Sequence, residues 1–228
     1  MNTTKYLIVG AGMTGDMAAN GIRELDSEGS ITMIGADPHP TYKRPLLTKG
    51  LWQGAPEEKI WREAAEGVDL VTGRRIVSLD LAAHTATDDS GEEYSWEKLL
   101  LATGAQPREI PGAEGVIWYR TLDDYHRLRE ITQEGSHVVV IGGGFIGSEI
   151  AAGLVNNGRR VTMLFPEPGI GFRLFPLGLS QFVARKCARR QDGSAPPHLA
   201  VIDKPLISIA SAQSFKNKCE PIRVPYIG

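Results

Sequence analysis

The residues of this 228-residue chain best suited to chemistry are six glycines set twice in one spacing. They stand in Gly10-Ala11-Gly12-Met13-Thr14-Gly15 and, 132 residues further on, in Gly142-Gly143-Gly144-Phe145-Ile146-Gly147. In such a G-x-G-x-x-G run the first glycine permits a tight strand-to-helix turn. The second lets bare backbone approach a pyrophosphate, and the third lets the helix pack closely on its strand. The helix N-terminus adds unpaired N–H groups and a positive dipole end for the phosphates. An acid follows each turn. Asp37, 22 residues beyond Gly15, stands where a βαβ unit hydrogen-bonds the adenosine ribose, the alternative being a solvated loop aspartate beside Pro38. Glu167 is a displaced candidate for the same task in the second copy, favouring the free ribose hydroxyls of NAD, while Arg159, Arg160 and Arg173 leave NADP open. Two dinucleotide turns in one chain point to electron transfer between a flavin and a nicotinamide.

Those glycines act only if strand–turn–helix units hold them. Tyr6-Leu7-Ile8-Val9 and Val138-Val139-Val140-Ile141 are apolar, β-type runs directly before each turn. The patterns predict a strand at about 5–9, a helix at 13–25 and a strand at 31–35, then a second helix from about Phe145 and a strand at 160–164. Glu149 falls in the first turn of that second helix, where the dipole favours a carboxylate. Short strands at 68–71, 75–79, 84–87 and 93–95, with turn residues at Asp88-Asp89-Ser90-Gly91, read as a small antiparallel excursion, followed by a buried strand run at Leu99–Leu101. The expected fold class is α/β, with two Rossmann-type dinucleotide-binding units and a small antiparallel β excursion. Composition agrees: 42% hydrophobic and 23% charged suits a soluble globular protein of one or two domains. A net charge of −2 without a basic run argues against nucleic acid, and no apolar run predicts a membrane span. Met1–Lys5 leads straight into the first strand with no signal-peptide pattern. Cys187 and Cys219, outside any C-x-x-C spacing, agree with a reducing cytoplasm, and no metal is expected.

The segment Tyr42-Lys43-Arg44-Pro45-Leu46-Leu47-Thr48-Lys49 would read alone as a basic surface loop. Between the two fingerprints it resembles the flavin-facing Tyr-x-Arg-Pro-x-Leu-Ser-Lys pattern of the pyridine nucleotide-disulfide oxidoreductase superfamily, in the branch of ferredoxin and rubredoxin reductases and apoptosis-inducing-factor-like flavoproteins. Ala102-Thr103-Gly104-Ala105-Gln106-Pro107-Arg108 is similar to that family's A-T-G-x-x-P-R motif. The resemblance implies FAD on the first fingerprint and NAD(P)H on the second. It implies that Arg44, Ala102, Thr103, Gly104 and Arg108 meet FAD, that Lys49 approaches the reactive flavin edge, and that Glu149 pairs with Lys49; these two are the catalytic candidates. Ile76 takes the adenine-contacting position or is ordinary core, and Arg120, in Tyr119-Arg120-Thr121, is an FAD contact or part of a helix-capping segment. No cysteine precedes Cys187, so the dithiol relay of the disulfide reductases is not expected. Electrons would leave the flavin directly, to a ferredoxin, a rubredoxin or a small acceptor.

The resulting domain expectation is an FAD-binding part at 1–112, an incomplete NAD(P)-binding part at 113–188, and an unassigned tail at 189–228. Past about residue 188 the resemblance stops, with no returning Ala-Gly-Asp motif and no interface domain, so about half of a family member is covered. The favoured reading is an FAD-dependent NAD(P)H oxidoreductase of the ferredoxin-reductase kind. The alternative is a truncated, non-catalytic dinucleotide-binding fragment or interaction module.

Overall fold

The computed structural model describes residues 1–187 and the backbone of a further strand at Leu199–Asp203. In chain order the elements are β1 (Asn2–Val9), α1 (Met13–Leu25), β2 (Ile31–Gly35), β3 (Val68–Thr72), β4 (Ile76–Asp80), β5 (Thr85–Asp88), β6 (Glu93–Leu101), α2 (Leu122–Ile131), β7 (His137–Ile141), α3 (Phe145–Asn156), β8 (Arg160–Phe165), α4 (Leu177–Cys187) and β9 (Leu199–Asp203). Short 3-10 turns at Arg44–Leu47, Gly50–Gln53 and Glu57–Ile60 fill the stretch between β2 and β3. The chain divides into two compact units, Met1–Arg108 with Trp118–Arg127, and Glu109–Ile117 with Leu128 onward.

The first unit is built on a six-stranded sheet in the order β3-β2-β1-β6-β5-β4. Leu7-Ile8-Val9 and Ile31, Met33 and Ile34 make nearly continuous apolar runs because β1 and β2 are covered on both faces. On one face α1 presents Gly15, Ala19 and Ile22, spaced four and three residues apart, to a core of Ile8, Ile31 and Met33. On the other, Leu7, Val9 and Ile34 pack with Ala86, Tyr94 and Trp96. Four details differ from the sequence expectation. β1 starts at Asn2 because it pairs with β6 from Asn2 opposite Tyr94 onward. Val68–Thr72 lies parallel to β2 in the main sheet, which confines the antiparallel excursion to β4, β5 and the start of β6. The runs at 93–95 and 99–101 are one nine-residue strand, antiparallel to β5 at its start and parallel to β1 along its length. Its end is not buried: Leu100 and Leu101, whose side chains point to opposite faces of the sheet, are both exposed.

The second unit has a parallel sheet in the order β7-β8-β9. β8 alternates buried Val161, Met163 and Phe165 with partly exposed neighbours, and α3 buries Ile150, Ala151 and Leu154. The helix stops at Asn157-Gly158, where Gly158 takes a left-handed φ of +79° and its N–H reaches the Val155 carbonyl. β9 comes from the tail that sequence reasoning left unassigned; Leu199-Ala200-Val201-Ile202 pairs in parallel with Val161–Leu164. The other tail residues, 188–198 and 204–228, including the Gln191–Pro197 and Ile222–Gly228 stretches, lie outside the described residues. The order β9-β8-β7 repeats β3-β2-β1. Among the described residues, however, nothing pairs with the far edge of β7, where β1 has β6.

Candidate functional site

The two glycine turns have nearly one geometry. Gly10 and Gly142 adopt φ of +119° and +117°, a region closed to ordinary side chains. Their N–H groups donate to Ile34 O and Leu164 O at 2.7 and 2.8 Å. Gly12 and Gly144 cap the helices with φ, ψ of −88°, −174° and −81°, −173°. A Cβ on Gly15 or Gly147 would stand 2.1 Å from the Gly10 or Gly142 carbonyl oxygen, so only glycine lets each helix close on its own turn. At Gly12 and Gly144, by contrast, a Cβ would meet nothing within 4 Å. Open space over bare backbone, aimed at by the first N–H groups of a helix, fits a pyrophosphate in both turns. Thr14 is exposed beside the first turn; Phe145 and Ile146, at 54% and 48% exposure, stand beside the second, with the Phe145 ring edge-on to Phe175.

The first turn abuts the strand end that carries Ala102-Thr103-Gly104. Ala102 N–H donates to Val9 O at 2.8 Å, and a Cβ on Gly10 would lie 2.1 Å from the Ala102 carbonyl oxygen, so the two motifs touch through backbone. Gly104 has φ of +68°, and a Cβ there would come within 3.2 Å of Arg120 Nη2. Arg120 is therefore brought to this motif, while Thr103, Gly104 and Arg108 are exposed. Thr41 Oγ1 donates to Ala11 O at 2.9 Å, drawing the start of the 41–49 segment against the same turn. Asp37 and Arg44, read separately as cofactor contacts, hold one another: Asp37 Oδ2 accepts Tyr42 Oη at 2.7 Å and Arg44 Nη2 at 3.2 Å. Arg44 Nη1 also donates to Tyr42 Oη and to the Arg120 carbonyl, and its guanidinium lies 5.0 Å from the Tyr42 ring centre. Burial, with the Asp37 hydrogen bond, pushes the Tyr42 hydroxyl well above its ordinary pKa, so it stays a donor. Tyr119 is raised the same way by burial; its Oη donates to Leu47 O at 2.6 Å behind the segment. Lys49 is exposed at the end of the segment. Ile76, partly buried, packs against the Leu7, Val9 and Ile34 core.

In the second unit, Gly171 N–H donates to Gly143 O at 2.7 Å, tying the loop after β8 to the second turn. That loop carries Glu167, whose Oε1 pairs with Arg173 Nη2 at 3.2 Å. Glu149 is the fifth residue of α3, one position past the first turn in which the sequence expectation set it. The helix dipole favours a carboxylate less there than in the first turn.

One pair escaped the sequence reading. Asp16, in the first turn of α1, is 1% exposed and accepts Arg62 Nε at 2.5 Å. An aspartate facing the core side of an amphipathic helix was the available signal; its partner, 46 positions away, was not legible from spacing. Among the described residues no group of His, Cys, Asp and Glu could hold a metal ion, and no helix is long and apolar enough to cross a membrane.

Parallel strands, a glycine turn closing onto each helix, and an acid two residues beyond β2 and β8 define an α/β chain with two dinucleotide-type turns. The chain belongs to the pyridine nucleotide-disulphide oxidoreductase family, whose model matches residues 4–191. It is 36% identical over 197 residues to monodehydroascorbate reductase 4, peroxisomal, of Arabidopsis thaliana, covering 75% of this chain and 40% of that protein. It is 35% identical over 178 residues to rubredoxin-NAD(+) reductase of Pseudomonas putida, covering 74% and 46%. The crystal structure of a ferredoxin reductase from Rhodopseudomonas palustris superposes with a TM-score of 0.71 at 26% identity, covering 94% of this chain and 62% of that one. The chain thus spans half or less of the length of the curated relatives it matches.

Proposed function

We propose that the chain is the dinucleotide-binding part of an FAD-dependent NAD(P)H oxidoreductase of the ferredoxin- and rubredoxin-reductase kind, with FAD on Gly10–Gly15 and NAD(P)H on Gly142–Gly147. The observation that carries this reading is the near identity of two turns that each leave bare backbone facing open space at the second glycine. When bound, the two cofactors supply hydride transfer from a nicotinamide to a flavin and onward release of electrons. In this reading the chain's own residues bind and orient. The N–H groups at the start of α1 and α3 hold phosphates, Asp37 and Glu167 face the riboses, and the Arg44–Asp37–Tyr42 cluster stiffens the flavin-facing segment. Ala102, Thr103, Gly104, Arg108 and Arg120 border the FAD side, and Lys49 and Glu149 keep the catalytic roles that the family resemblance gives them. Glu167 favours NAD, with NADP the second choice because Arg173 lies beside it. The acceptor is a ferredoxin or rubredoxin in this reading, and the sparse cysteines suit a reducing, cytoplasmic setting.

A second reading, a dinucleotide-binding module without turnover, is favoured by the outer edge of β7, with which no strand among the described residues pairs. Anaerobic mixing of the FAD-loaded chain with NADH separates the two. The oxidoreductase reading expects the flavin absorbance to bleach, more slowly than the roughly 1–1000 per second of ordinary turnover because nicotinamide and flavin alignment is demanding. A flavin that stays oxidised in excess NADH and NADPH would leave only the binding module.

A further inference from the structure

We propose that Arg62 keeps the first glycine turn receptive to a phosphate anion by neutralising the buried carboxylate of Asp16. The inference rests on the reading that this turn holds FAD. Asp16 follows the third fingerprint glycine directly, is 1% exposed, and has one oxygen on Arg62 Nε at 2.5 Å while the other, Oδ1, is buried with no hydrogen-bond partner. The second unit provides an internal comparison. Asp16 N–H donates to Gly12 O at 3.0 Å, and Ser148 N–H donates to Gly144 O at 3.0 Å, so Ser148 is the equivalent position. There the side chain is neutral and its hydroxyl bonds back to the carbonyls of Gly144 and Phe145.

A carboxylate suits the N-terminus of an isolated helix, but the dipole and N–H groups that favour it are the same ones that would attract a pyrophosphate. Two anions at one helix end oppose each other, and a buried charge is poorly screened by salt. Arg62 removes that conflict, and the backbone delivers it to the place. Arg62 N–H donates to Thr41 O at 3.0 Å, Lys43 N–H to Ile60 O at 2.8 Å, and Tyr42 bridges Trp61. The cation therefore arrives through the same backbone bridge that starts the flavin-facing segment.

Neutralisation makes the two partners unequal, which a purely structural ion pair does not. FAD titration of the whole chain, with thermal midpoint as the control for folding, reads the difference. Arg62→Met leaves a buried anion in the phosphate turn and should weaken FAD about tenfold or more. Asp16→Asn should bind FAD as well as the natural chain or tighter, and Asp16→Asn with Arg62→Met should return to within about threefold of it. Should Arg62→Met not fold, Ser148→Asp installs the unneutralised carboxylate in the second unit and should weaken NADH while leaving FAD unchanged. Equal losses in Arg62→Met and Asp16→Asn, tracking their thermal midpoints, would overturn the inference, as would a Ser148→Asp chain that keeps its NADH affinity. A natural chain that takes up no FAD would overturn the underlying reading and this inference together.

Discussion

Asp37 and Glu167 occupy one offset, two residues past β2 and β8, and each is held at 3.2 Å by an arginine several residues further on, Arg44 and Arg173. The pairs differ in setting. Asp37 and Arg44 have side chains 13% and 28% exposed and share Tyr42, whereas Arg173 is 85% exposed, so its pairing with Glu167 adds little stability and mainly orients the carboxylate. A ribose-facing carboxylate contributes charge-assisted hydrogen bonds of about 1.5–3 kcal/mol. Glu167→Ala should therefore weaken NADH by roughly tenfold or more and NADPH much less. Titration of both nucleotides checks this; equal affinities before and after substitution would make Glu167 a loop residue. Sequence spacing located both acids, because the offset from a glycine turn is local. Their arginine partners were not legible, since the 3-10 turn at Arg44–Leu47 and the loop after β8 have no periodic pattern to fix their path.

At the scale of elements, local patterns and long-range pairings parted company at β6. Glu93–Ser95 and Leu99–Leu101 look like separate strands because the charged Glu97 and Lys98 stand between them, yet pairing with β1 from Asn2 to Val9 carries the strand from Tyr94 through Leu101, and Glu93 joins it opposite Thr87. Val68–Thr72 has the short alternating look of a hairpin strand, and only its parallel register with β2 sets it in the main sheet. The α1–β2 connection was read simply as a gap, and it is closed by one carboxylate. Asp26 Oδ2 accepts Lys5 Nζ at 2.7 Å and Tyr6 Oη at 2.9 Å, while Oδ1 accepts Gly29 N–H at 2.8 Å. The Lys5 hydrogen bond first, then the Gly29 N–H and the Tyr6 hydroxyl, hold its carboxyl well below the usual carboxylate range. A carboxyl depressed by folding stabilises the fold above its unfolded pKa of about 3.9, and that contribution fades as pH falls below it. Asp26→Asn should lower the thermal midpoint at neutral pH, with the gap from the natural chain closing below about pH 4. A gap of constant size from pH 7 to pH 3 would show that the carboxylate charge contributes nothing.

Over the whole molecule, the same strand–turn–helix–strand unit is built twice, and that duplication was legible because each unit begins with a six-residue signature after an apolar strand. What surrounds each unit was not. The first turn is backed by β6 and Ala102, whereas among the described residues nothing lies within 4 Å of a Cβ on Gly142 and no strand pairs with the outer edge of β7. β9 was missed for a related reason: a five-residue strand whose partner lies some 40 residues earlier carries no local signal beyond its apolar run. In the proposed reading the two turns serve two different dinucleotides. Substituting the second glycine of each separates them, because Gly12 and Gly144 have ordinary negative φ and free space, so valine should disturb the ligand and not the fold. Titrate FAD and NADH into the natural chain, Gly12→Val and Gly144→Val, with circular dichroism confirming that all three are folded. Gly12→Val is expected to lose FAD and keep NADH, and Gly144→Val to keep FAD and lose NADH. Folded variants that lose both ligands together, or neither, would contradict that reading.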